Sequence, residues 1–74
     1  MPVERTPELP SQRVEAALRA RIDGGEWQSQ ERLPPVAALA AEYGVARATV
    51  MAALRRIEAD GLVVVVSNWG TFRT

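Results

Sequence analysis

The chain has 74 residues, 47% of them hydrophobic, with nine basic and nine acidic side chains and neither cysteine nor histidine. That is material for one small core and no second domain, and it excludes a disulfide framework, a thiolate site and the commonest metal ligand and general base. The zero net charge conceals an asymmetry: residues 1–31 carry four arginines against six acids, residues 32–74 carry five against three, and every basic residue is arginine.

Arginine suits forked contacts with phosphate and guanine, so the second half is where a polyanionic partner would bind, although most surface arginines need no partner. Met1 to Pro10 lacks the apolar stretch of a signal peptide, and apolar runs such as Leu62 to Val66 are far too short to span a membrane. A cytoplasmic protein with no membrane partner is expected.

In chain order, residues 1–10 hold Pro2, Pro7 and Pro10 and read as a disordered lead; residues 11–74 read as the domain. Ser11 is placed to cap a first helix whose Val14, Leu18 and Ile22, with Ala17, recur at helical spacing, while Glu15 and Arg19 form an i,i+4 pair and Gly24-Gly25 end it. In the connector Glu26 to Arg32, Trp27 is the one large apolar residue and is expected to plug the core.

After Leu33-Pro34-Pro35 a short second helix buries Val36, Leu39, Ala40 and Tyr43 and stops at Gly44. Val45 crosses a tight turn into a third helix, Arg47 to about Ala59, burying Val50, Ala53, Leu54 and Ile57, with Gly61 as its stop. Two helices across a short glycine-containing turn are a helix-turn-helix. Leu62 to Val66 predicts a strand, Asn68-Trp69-Gly70 a turn and Thr71 to Thr74 its partner strand. The fold class is mainly α with a small β-hairpin: a winged helix-turn-helix of three helices and a two-stranded wing.

From Val14 to Phe72 the chain resembles the N-terminal domain of GntR-family transcription regulators. The motifs are Gly25-Glu26, Glu31-Arg32-Leu33-Pro34, Leu39-Ala40, Tyr43-Gly44-Val45, Arg47-x-Thr49-Val50, Ala53-Leu54-Arg55-Arg56-Ile57, Asp60-Gly61-Leu62 and Gly70-Thr71-Phe72, in one register. The resemblance implies a third helix reading the major groove of double-stranded DNA, an assisting wing, and action as a homodimer or with a further effector and dimerisation domain. A repressor without cofactor, metal or catalytic residues is expected. The family's Ser-Glu-Arg after Leu-Pro is here Pro35-Val36-Ala37, and its Ser-Arg-Thr-Thr is Ala46-Arg47-Ala48-Thr49. Met51 replaces a frequent arginine, and Asn68-Trp69-Gly70 replaces Gly-Arg-Gly.

The candidate DNA-binding residues follow from position. Arg47 lies in the first turn of the recognition helix, where side chains reach base edges. Thr49 is either a phosphate or methyl contact or a second cap, and Ala48 and Met51 are placed against thymine methyls. Arg55 either clamps a phosphate or pairs with Glu58; Arg56 is expected to pair with Asp60. Arg32 touches phosphate beside the second helix or supports the connector. At the wing, Trp69 either marks a contact surface, stacking on a sugar or base step in the minor groove or anchoring a protein partner, or folds back onto Val64 or Val66; Gly70 shapes the tip, and Thr71 bonds a phosphate. The rival reading is a protein-interaction module using the apolar face Ala46, Ala48, Met51 and Ala52 with Trp69.

Overall fold

The computed structural model describes residues 9–67 and 69–74. Three helices are followed by an antiparallel hairpin: α1 (Pro10–Asp23), α2 (Val36–Tyr43), α3 (Arg47–Ala59), β1 (Val63–Val66) and β2 (Gly70–Arg73). This is the expected winged helix-turn-helix order. Residues 1–8 of the expected lead, and Asn68 of the expected turn, lie outside the described residues.

The first helix begins at Pro10, so the expected lead does not extend that far, and Ser11 is not its cap. Pro10 occupies the first turn, where a missing N–H costs nothing. The preceding Leu9 is extended, with φ −66° and ψ 147°, and its N–H donates to Oε1 of Gln12 at 3.0 Å. The Gln12 side chain thus closes the helix start that Ser11 was expected to close. At the other end Gly25 takes φ +79° and the N–H of Glu26 returns to the Arg21 carbonyl at 3.1 Å.

The periodic face of α1, Val14, Leu18 and Ile22, is buried and packs on α3, whose Val50, Ala53, Leu54 and Ile57 are each 0% exposed. All seven were expected in the core. Removing a Leu or Ile side chain of this size from water contributes roughly 1.5–3 kcal/mol, and this interface is the main mechanical support of the third helix. Trp27 is buried as expected, and the Arg21 guanidinium lies 4.8 Å from its ring centroid.

Helices α2 and α3 are bent 110° from one another, within the range of a helix-turn-helix. Gly44 makes the turn with φ +66°, and the N–H of Val45 reaches back to the Ala40 carbonyl at 3.0 Å. Tyr43 is only half-buried; it packs on the core while its hydroxyl accepts a hydrogen bond from Nη1 of Arg21 at 2.8 Å.

The hairpin pairs Val63 with Arg73, Val64 with Phe72, Val65 with Thr71 and Val66 with Gly70. Leu62, expected in the strand, instead donates its N–H to Ile57 at 3.3 Å and finishes the turn after α3. The connector before α2 is a third edge that the sequence reading missed. Arg32 bridges Phe72, Leu33 donates to Thr71 at 2.8 Å, Gln30 donates to Arg73 at 2.6 Å, and Arg73 donates to Glu31 at 2.9 Å. Residues 30–33 are therefore bound to the wing as well as leading into α2.

Candidate nucleic-acid interface

On an α-helix, residues i, i+4 and i+7 share a face. With Val50, Ala53, Leu54 and Ile57 turned into the core, the opposite face of α3 carries Ala48, Ala52 and Arg55, all exposed. Arg47 is exposed at the N-terminal end, about 12 Å along the axis from Arg55 at 1.5 Å per residue. Met51 is half-buried and packs against the core, so it offers only part of its side chain outward. Thr49 is also half-buried, and the cap position of α3 is Ala46, which makes no side-chain capping bond. The second-cap role weighed for Thr49 is therefore not seen.

Ion pairing separates the arginines. Arg19 bonds Glu15 at 2.9 Å and Asp60 at 2.5 Å, tying α1 to the end of α3. Arg21 meets both carboxylate oxygens of Glu26, at 2.8 and 2.6 Å, and also Glu42 at 2.9 Å. Glu26 and Tyr43 hold the Arg21 pKa well above its ordinary value, and Arg21 in turn lowers that of Glu26. Arg56 does not pair with Asp60: that carboxylate has left the helix at the cap of α3 and faces Arg19, so Arg56 turns to Glu15 at 3.5 Å. Arg55 pairs with Glu58 at 3.3 Å while 62% of its side chain stays exposed.

Among the described residues, Arg13, Arg32, Arg47 and Arg73 have no carboxylate within ion-pair distance. Arg73 lies on the core-facing row of β2 opposite buried Val63 and is half-buried. Arg47 and Arg32 are exposed. Arg32 was expected beside α2, but the structure carries it to the wing. A Cβ built on Gly70 would lie 2.7 Å from its Nε, so the guanidinium rests against the Gly70 backbone, whose φ is +115°.

At the tip, Trp69 is 70% exposed, and Val64 and Val66 remain exposed too, so the indole does not fold back to cover them. Thr71 is corrected: it is 4% exposed, because its register opposite Val65 turns it to the core face, out of reach of a phosphate. One carboxylate links helix and wing. Oε2 of Glu58 accepts the N–H of Val65 at 2.9 Å; that bond, then the Arg55 charge, lowers the Glu58 pKa. Its proximity to β1 was not apparent from the sequence, which suggested only the i,i+3 pair with Arg55.

Among the described residues no helix is long and apolar enough to cross a membrane, and no three His, Cys, Asp or Glu residues come together as a metal site would require.

Comparison with known proteins agrees with this architecture. The chain is 36% identical over 61 residues to the histidine utilization repressor of Klebsiella aerogenes, covering 82% of this chain and 25% of that protein. It is 40% identical over 60 residues to the histidine utilization repressor of Pseudomonas putida, covering 81% and 24%. The chain thus spans about a quarter of the length of these relatives. Its fold is shared with AraR(DBD), solved in complex with the operator ORE1, at a TM-score of 0.90 and 23% identity over 99% of this chain and 90% of that one. A GntR family transcriptional regulator from Listeria monocytogenes superposes with a TM-score of 0.85 at 18% identity, covering 96% and 62%. The sequence pattern that defines the gntR family of bacterial regulatory proteins matches residues 10–72, and the chain belongs to that family.

Proposed function

We propose that this chain is the DNA-reading domain of a transcription repressor, with α3 in the major groove, the wing assisting, and a binding rather than a catalytic role. It would act in the cytoplasm on double-stranded DNA, as a homodimer or joined to an effector and dimerisation domain. The observation that carries the reading is Arg47: an exposed guanidinium without a carboxylate partner among the described residues, in the first turn of the second helix of a helix-turn-helix. That turn is where a recognition helix meets base edges, and a guanidinium there can grip guanine O6 and N7 together. Ala48 beside it suits a thymine methyl, Thr49 and the exposed part of Met51 flank it, and Arg55 suits a phosphate once released from Glu58. The names of the relatives support a repressor.

Fluorescence anisotropy with labelled duplex DNA at low salt, repeated at higher salt, tests this. Arg47→Ala is expected to weaken binding roughly 5- to 150-fold, since a good base contact contributes ~1–3 kcal/mol. Equal binding by wild type and variant would remove Arg47 from the interface.

The exposed Ala48 and Ala52 and the exposed indole of Trp69 favour a second reading, docking of a protein partner on an apolar face. Absence of salt-sensitive DNA binding in the same titration would favour it.

A further inference from the structure

The wing carries an exposed aromatic side chain, which the recognition helix lacks. Trp69 is 70% exposed at the tip, whereas the other tryptophan, Trp27, is 6% exposed in the core. The next residue, Gly70, has φ +115° and supports Arg32, whose Nε and Cζ would lie 2.7 and 3.3 Å from a Cβ at that position. Arg32 is exposed and, among the described residues, is not ion-paired. A bare indole and an uncompensated guanidinium are therefore held one residue apart at the end of a β-ribbon.

We propose, building on the DNA-reading role, that Trp69 is a wedge that stacks on a deformable base step in duplex DNA while Arg32, positioned by Gly70, takes the flanking phosphate. Charge complementarity favours this occupant. An apolar protein surface covering Trp69 would leave Arg32 desolvated without a counter-charge, which is costly, whereas a base step supplies an aromatic face and a phosphate together. Apolar side chains that enter the minor groove partially unstack a step, and pyrimidine–purine steps such as TA open most cheaply. The wing would therefore select sequence through deformability, without a hydrogen bond to a base edge. Gly70 has two tasks here: it closes the hairpin with a positive φ, and it leaves the space that Arg32 fills.

The test uses the 74-residue chain with two short duplexes, one of alternating TA sequence and one A-tract, read by tryptophan emission and by affinity. Emission from Trp69 is expected to change on the TA duplex, and the Trp69→Ala variant, retaining only Trp27, to show no change. Trp69→Ala is expected to bind the TA duplex roughly 5- to 100-fold more weakly, the loss of about one stacked base, and to lose the preference for TA over the A-tract. Arg32→Ala, which leaves the positive φ of Gly70 untouched, is expected to weaken binding to both duplexes and to lower its salt dependence. Binding that depends on Arg47, with tryptophan emission unmoved and Trp69→Ala equal to wild type, would overturn the wedge and leave the DNA-reading role intact. Failure of both duplexes to bind at low salt would overturn both.

Discussion

Glu58 is a single-residue link between the recognition helix and the wing, because its carboxylate holds both the Val65 N–H and Arg55. These contacts lower its pKa below the ordinary 4.5. A carboxyl whose pKa is depressed by folding contributes stability that is fully present above its unfolded value and is lost as pH falls through the folded value. Thermal midpoints measured by circular dichroism are therefore expected to fall below about pH 4.5 in the wild type, and Glu58→Gln is expected to flatten part of that acid limb; an unchanged pH profile would exclude the link. At this scale the sequence was informative only where position alone decides the environment. Arg47 opens a helix and Trp69 sits in a turn, so both were expected to face solvent. Thr71 was misjudged because a strand residue's face depends on register, and a shift of one residue inverts it. The partner of Arg32 is remote in sequence and so left no local signal.

Among the elements, α3 was the most legible, and its bounds coincide with the expected Arg47 to Ala59: four buried residues at helical spacing and a terminal glycine all agree. The hairpin was found with β1 starting one residue later than expected and β2 displaced by one residue, since Leu62 serves the end of α3 and Gly70 pairs with Val66. The third edge at residues 30–33 was missed because so short a segment has no room for the alternation that marks a strand. Its core-facing Leu33 reads equally well as the lead into α2. The start of α3 remains improvable. Ala46 has the extended geometry of a capping residue, φ −71° and ψ 154°, but no side-chain oxygen. Ala46→Ser is expected to stabilise the domain by about 0.5–2 kcal/mol, seen as a raised urea midpoint with unchanged slope. A lowered midpoint would show that the methyl is needed where it stands.

For the whole molecule, one hydrophobic core fixes both the third helix and the wing. Leu54 is fully buried on α3 and belongs to the same cluster as Val63 of β1. Leu54→Ala is expected to cost about 2–5 kcal/mol, measured by denaturant unfolding, a large fraction of the stability of a domain this small. A cost near zero would contradict the packing. The formal charge is zero, so in the proposed DNA-reading role long-range attraction would be weak and local, uncompensated arginines would have to supply the contact. Four of the seven acids among the described residues, Glu15, Glu26, Glu42 and Asp60, are held by Arg19, Arg21 or Arg56 in scaffold pairs around α1. Among the described residues, that leaves Arg47 on α3 and Arg32 beside the wing as the exposed, uncompensated cations of the second half.

The most direct test of the central claim is an amide-shift NMR titration of the chain with duplex DNA at low and higher salt, for the wild type and Arg47→Ala. Salt-sensitive shifts concentrated at residues 46–56 and 67–71, and lost in Arg47→Ala, are the expected result. Spectra that do not move on adding DNA would contradict the account and direct attention to a protein partner covering the outer face of α3 and Trp69.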